Sequence, residues 1–111
     1  MSEQKSPATN DVAVSISSPA PNGQFTGSAN GGYSPSGGSG VVKFWLTDPT
    51  GTNPEPSPAA QGPMILSGRL TWTASLDMTG VAPTTTGYLR AIYTVGEQSA
   101  EADVCPLTWP G

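Results

Sequence analysis

Residues 70–80 read LTWTASLDMTG, where apolar side chains alternate with small polar ones until a glycine ends the pattern. A period of two is typical of a β-strand that buries one face and exposes the other. The residues expected to face a core are Leu70, Trp72, Ala74, Leu76 and Met78. Those expected to face water are Arg69, Thr71, Thr73, Ser75 and Asp77. Such a strand needs a second layer to cover its apolar face.

Short strand-like segments recur along the rest of the chain. They are DVAVSISS (11–18), GQFTGSANG (23–31), VVKFWLT (41–47), GYLRAIYTV (87–95) and SAEADVCPL (99–107). The 14 glycines and 12 prolines interrupt the chain too often for long helices. We expect Val42, Phe44 and Leu46 to point inward, and the turn GEQ (96–98) to join the last two strands.

The segments between the strands are expected to be irregular. GGYSPSGGSG (31–40) is interpreted as a flexible connection, because it lacks the ending and the following helix of a phosphate-binding loop. The segment at 48–63 contains five prolines, which exclude a helix and a central strand, so we expect a long surface loop. Residues 1–10 are expected to form a flexible arm ahead of a single domain at 11–111.

About seven short strands separated by frequent turns predict an all-β fold, an antiparallel β-sandwich. The segments SISSPAPNGQFTGSA, VVKFWLTDPTG, RLTWTASLDMTGVAP and TGYLRAIYTVGEQSAEADV follow in an order that resembles bacterial immunoglobulin-like and fibronectin type III-like modules. The resemblance covers residues 11–104 and rests on a turn rich in proline and glycine after the first strand, a strand centred on tryptophan, and the late G-Y and L-R-A residues. It implies an immunoglobulin-like sandwich with Trp72 between the two sheets.

Several kinds of chemistry are absent from the sequence. Without histidine, a Ser-His-Asp or Cys-His arrangement is impossible, so we expect no enzyme and no catalytic residues. The net charge of −4 with four basic residues disfavours nucleic-acid binding, and no stretch is long and apolar enough to predict membrane insertion. We expect no cofactor or metal, since no run of carboxylates has calcium-ligand spacing. Cys105 is expected to pack as a small hydrophobe.

A partner-binding face follows from the register of two strands. If Val42, Phe44 and Leu46 point inward, the neighbouring side chains of that strand point outward. The strand GYLRAIYTV, with Leu89, Ala91, Tyr93 and Val95 inward, would add three more. The predicted docking residues are Val41, Lys43, Trp45, Tyr88, Arg90 and Ile92. Glu101 and Asp103 on the next strand would pair with Arg90. Alternatively, the loop at 48–63 covers this face.

The sequence favours a structural or interaction protein. Immunoglobulin-like modules of this kind occur in adhesins and on tailed-phage virions, so the resemblance implies a virion decoration or accessory protein, assembled in the host cytoplasm without a leader. Its partner would be a capsid, tail or other protein, or a second copy of the chain. The alternative is an extracellular adhesion module or a carbohydrate-binding module in which exposed aromatic residues stack on a glycan. The candidates for that role are Tyr33, Trp45, Tyr88 and Trp109, which could instead pack internally.

Overall fold

The computed structural model describes residues 12–111, which form eight strands and no helix. The strands are β1 (Ala13–Ser18), β2 (Ser28–Ser34), β3 (Ser39–Trp45), β4 (Ala60–Pro63), β5 (Ile65–Leu66), β6 (Thr71–Ser75), β7 (Thr84–Val95) and β8 (Gln98–Trp109). The predicted arm at residues 1–10 lies outside the described residues. The all-β prediction is therefore confirmed, with eight strands rather than about seven.

The strands form two antiparallel sheets packed face to face. The first sheet has the order β1-β2-β6-β5 and the second has the order β4-β3-β7-β8. Two strands lie outside the predicted strand segments. One is β4, which lies within the segment predicted to be irregular at 48–63 and pairs only with β3, and the other is the short β5, which pairs with β6. Pro63 ends this edge strand, where a residue without an amide hydrogen is tolerated. Two four-stranded sheets thus form a β-sandwich.

The core lies between the two sheets and is built from the inward positions of the alternating strands. Trp72 is 1% exposed, and its indole Nε1 donates a hydrogen bond to the carbonyl of Ser15 at 3.0 Å. Phe25 stacks on Phe44 with ring centroids 5.0 Å apart, so the chain between β1 and β2 also contributes to the core. The predicted burial of Val42, Phe44 and Trp72 is confirmed, while Leu46 is partly buried against the same cluster.

One expectation about the first sheet is wrong. Leu70 is 42% exposed, because the chain turns between β5 and β6 and Leu70 occupies that turn with φ 64°. The turn is closed by the amide of Ser67, which bonds to the carbonyl of Thr71 at 2.9 Å. The alternation therefore starts one residue later than predicted. Met78 at its other end is partly buried against the core cluster, on the predicted side.

The glycine-rich segment at 31–40 is mostly strand, not a flexible connection. Its first four residues belong to β2 and its last two to β3, which leaves a turn at 35–38. Glycine is needed within β2 because a Cβ on Gly31 would lie 1.9 Å from the carbonyl oxygen of Ser15. The turn is fixed by the hydroxyl of Tyr93, which donates to the carbonyl of Pro35 and accepts from the amide of Gly38.

The prediction that Cys105 packs in the core is also wrong, because the thiol is exposed. Val104 and Leu107 are both buried, so the two residues between them, Cys105 and Pro106, both face outward. The register between β7 and β8 shifts on either side of Gly87, opposite this part of β8. Such an irregularity interrupts the period of two, and the strict alternation used for the prediction does not hold here.

Trp72→Ala is expected to lower the free energy of unfolding by roughly 3–5 kcal/mol, because the substitution leaves a cavity between the sheets. Urea unfolding followed by circular dichroism measures this loss. Ile65, 64% exposed on the neighbouring strand β5, provides the control. Ile65→Ala should change the free energy by no more than about 0.5 kcal/mol. Equal losses for both variants would contradict the central position of Trp72.

Candidate docking face

The outer face of the second sheet brings together all six residues predicted to bind a partner. In the pairing of β3 with β7, Val41 lies opposite Ile92, Lys43 opposite Arg90, and Trp45 opposite Tyr88. These three cross-strand pairs follow one another along the same side of the sheet, with side chains close enough to interact. We call this surface the outer face. Its neighbours on β8 are Asp103, opposite Arg90, and Glu101, opposite Ile92.

Arg90 is the centre of a polar network on the outer face. Its Nε donates to Asp103 Oδ1 at 2.9 Å, and its Nη1 lies 2.6 Å from Glu55 Oε2. Its Nη2 donates to the hydroxyl of Tyr88 at 3.2 Å, and that hydroxyl donates to Asp103 Oδ2 at 2.6 Å. Glu101 is more distant, at 3.8 Å from Nε. The guanidinium therefore has hydrogen-bond partners on both of its sides, and only 13% of the Arg90 side chain is exposed.

The network favours the protonated forms of Tyr88 and Arg90. Burial raises the pKa of Tyr88 to about 12, and its hydrogen bond to Asp103 acts in the same direction. Burial lowers the pKa of Arg90, but its hydrogen bonds to Asp103 and Tyr88 outweigh burial, and the net pKa lies above the ordinary value. Tyr88 thus remains a neutral donor and Arg90 a cation at neutral pH.

Trp45 and Tyr88 lie on the outer face but are buried, each with 3% of its surface exposed. Residues 46–59, which we call the strap, cover Trp45, and the guanidinium of Arg90 lies over the Tyr88 ring. The indole Nε1 of Trp45 donates to the carbonyl of Pro56 at 2.8 Å. The Arg90 guanidinium carbon lies 5.7 Å from the Trp45 ring centroid and 5.4 Å from the Tyr88 ring centroid. Of the two alternatives that the sequence left open, the covering loop is therefore the one in the structure.

The strap is also anchored where it leaves β3 and where it reaches β4. The hydroxyls of Thr84 and Thr86 both donate to the carbonyl of Leu46, at 2.7 and 2.8 Å. At the other end, the amide of Ala59 donates to the carbonyl of Phe44 at 2.7 Å. The covered part of the outer face is thus its Trp45 end. Of the predicted docking residues, Val41, Lys43 and Ile92 lie beyond the main strap contacts and are partly exposed.

Sequence reasoning missed Glu55 and Pro56, the two strap residues that contact the outer face. Glu55 is 35 positions from Arg90 in the chain, and nothing in a proline-rich segment indicates which of its residues reaches Arg90. The one available signal was charge. Arg90 is one of four basic residues, and the segment 48–63 contains two acidic residues, Asp48 and Glu55. A cross-strand pattern predicts sheet neighbours, whereas this contact comes from a loop.

Three of the four aromatic residues considered for stacking on a glycan are buried. Tyr33 is 6% exposed and packs against Tyr93 with ring centroids 4.8 Å apart, while Trp45 and Tyr88 are each 3% exposed. Trp109 is half-buried, and its Nε1 donates to the carbonyl of Val81 at 3.1 Å. These four side chains therefore do not form a shared exposed platform.

Two further features of residues 12–111 bear on the kinds of site considered. No group of three or more Cys, Asp or Glu side chains that could hold a metal ion occurs in this part of the chain. No helix there has the length and apolar character needed to cross a bilayer.

The carboxylate of Asp48 accepts a hydrogen bond from the amide of Thr50 at 2.8 Å, and this bond lowers the Asp48 pKa. Its role in the structure is to form the turn that begins the strap.

Glu55→Gln is expected to loosen the strap without unfolding the domain, because it removes an ion pair at the surface, a type of contact worth about 0–1 kcal/mol. The indole hydrogen of Trp45 should then exchange faster with solvent, as measured by NMR. Glu97→Gln in the exposed turn between β7 and β8 is the matched control and should leave that exchange rate unchanged. An unchanged rate in Glu55→Gln would show that the ion pair does not hold the strap.

The high pKa of Tyr88 makes folding sensitive to alkaline pH. Because the folded pKa of about 12 lies above the ordinary value of 10.0, the stabilisation is complete below pH 10 and is lost as pH rises toward 12. Urea unfolding at pH 9 and pH 11 should show a larger loss of stability in the wild-type protein than in Tyr88→Phe. Equal losses in the two proteins would contradict this assignment.

No protein-family model matches the chain, and neither a curated protein nor a solved structure matches it. Its function is therefore inferred from the geometry of the described residues together with the sequence pattern.

Proposed function

We propose that the chain is a non-enzymatic, immunoglobulin-like structural domain that binds a protein partner on a virion, as a decoration or accessory protein assembled in the host cytoplasm. The strand order supports the immunoglobulin-like part of this proposal. With β1 to β8 named A, B, C, C′, D, E, F and G, the first sheet reads A-B-E-D and the second reads C′-C-F-G. Immunoglobulin-like sandwiches place A-B-E-D in one sheet and C-F-G in the other, with C′ added beside C in some domains.

The observation that carries the partner-binding proposal is the open end of the outer face. The apolar pair Val41 and Ile92 lies at its centre, with Lys43 beside it on β3 and the exposed Glu101 opposite Ile92 on β8. The exposed Pro63 lies opposite Val41 on β4 and extends the apolar area. An apolar centre with a charged rim is the usual anatomy of a protein–protein interface.

The Arg90 network supports the same surface. Since Arg90, Asp103 and Tyr88 already bond to one another, these side chains lose little freedom when a partner binds beside them. Less side-chain ordering on association leaves more of the contact energy available for affinity. The network thus provides a rigid base next to the apolar pair.

The placement on a virion follows from the sequence resemblance, because modules of this type occur on tailed-phage virions. A decoration protein needs a stable domain and one contact surface, without catalytic groups. The sandwich with its partly open outer face fits this requirement.

In the test, the tagged chain is produced in host cells in which the proposed virus that encodes it replicates. We expect it to co-band with particles on a caesium chloride gradient, as detected by mass spectrometry. Ile92→Glu should remove it from the particle band, because the substitution puts a charge at the centre of the apolar pair. Ser75→Glu, on the exposed side of β6 in the other sheet, should leave co-banding unchanged.

Both variants should keep a free energy of unfolding within about 1 kcal/mol of the wild type, as expected for side chains that are not fully buried. Absence of the wild-type chain from the particle band would exclude the virion placement. Normal co-banding of Ile92→Glu would instead exclude this part of the outer face as the contact surface.

A further inference from the structure

A groove lies beside the first residues of β7 and the last residues of β8. This end of the two strands is remote from Ile92. It has a volume of about 500 Å³ and is lined by Pro83, Thr84, Thr85, Thr108, Trp109 and Pro110. Thr84 and Trp109 are paired across the two strands, so both sides of the groove are fixed by the sheet. Thr84 and Ile92 are eight positions apart in β7, a distance of roughly 25 Å along a strand. The groove and the proposed docking surface are therefore separate.

Trp109 forms the aromatic wall of the groove and is held in one orientation. Its Nε1 donates to the carbonyl of Val81, and part of the ring packs against the core cluster. The remaining part is available to the groove, since the side chain is only half-buried. The wall is thus rigid before a ligand arrives, which limits the entropy lost on binding.

The rest of the lining is uncharged and carries hydroxyl groups. The Thr84 hydroxyl is already bonded to Leu46, whereas Thr85 is exposed and Thr108 is partly exposed. Pro83 and Pro110 add apolar surface. No cation in the lining could bind a phosphate or a carboxylate, and no carboxylate could bind a cation.

We propose that this groove binds a neutral oligosaccharide, with a pyranose ring stacked on Trp109 and its hydroxyl groups bonded to uncharged polar groups of the lining. A pyranose presents an apolar C–H face and a rim of hydroxyl groups, and it therefore needs an aromatic surface beside uncharged donors and acceptors. The volume of the groove lies within the range of about 300–1,000 Å³ that is usual for small-molecule sites. This binding site goes beyond the proposed function and does not depend on it.

The experiment follows the indole resonance of Trp109 by NMR while single oligosaccharides are added. The neutral probes are maltohexaose, cellohexaose, xylohexaose and N-acetylchitohexaose, and the anionic probe is a hexamer of galacturonic acid. We expect a saturable shift of the Trp109 resonance with at least one neutral probe and none with the anionic probe.

Thr85→Arg should weaken that binding by about tenfold or more, because the long side chain occupies the groove, and this corresponds to about 1.4 kcal/mol. Thr73→Arg, on the exposed side of β6, is the matched control and should bind as the wild type does. Circular dichroism confirms that both variants fold. The proposal is overturned if no neutral probe shifts the resonance, if the anionic probe alone does, or if Thr85→Arg binds undiminished. None of these results depends on whether the chain co-bands with particles.

Discussion

The position of β7 between β3 and β8 determines most of what this domain can do. Its ladders fix the register of the second sheet, so Leu89, Ala91 and Tyr93 all face the core with no exposed surface. Because the side-chain period of a strand is two, the same register directs Tyr88, Arg90 and Ile92 to the opposite side. A shift by one residue would bury Arg90 and expose Leu89. The burial of the inner residues therefore also fixes the positions of those that could contact a partner.

The outer face raises a second physical problem. Without a cover, Trp45 and Tyr88 would together expose a large apolar patch to water. The strap removes most of this patch from solvent, and Arg90 stacks between the aromatic rings and the carboxylate of Glu55. The prolines of the strap restrict the unfolded chain, so ordering it costs less conformational entropy than ordering a flexible loop of equal length. What stays accessible is the smaller apolar pair of Val41 and Ile92.

The parts of this fold that were predictable from sequence depend on short-range pattern. The alternation around Trp72 predicted its burial, and the same rule put Lys43 opposite Arg90 on one face. The rule failed where the backbone leaves the regular strand, as at Leu70 with its positive φ and at Cys105 beside a register shift. It also could not show that Glu55 reaches Arg90, because that contact closes a loop through three-dimensional packing. Periodicity thus predicts which residues share a face, and loop closure decides which of them stay exposed.

The edge of β8 explains why a face, and not an edge, is the surface to consider for a partner. At its C-terminal end, the chain at 22–25 runs alongside β8: the amide of Phe25 donates to the carbonyl of Thr108, and the amide of Thr108 donates to that of Gly23. These bonds occupy the backbone N–H and C=O of Thr108 at the edge of β8 and hold the backbone beside Trp109. Farther along, the exposed Glu101 and Asp103 place negative charge along the same strand, which disfavours pairing with another strand. With its edge blocked in these two ways, β8 takes part in the two proposed binding sites through its side chains, as the rim of the outer face and as the wall of the groove.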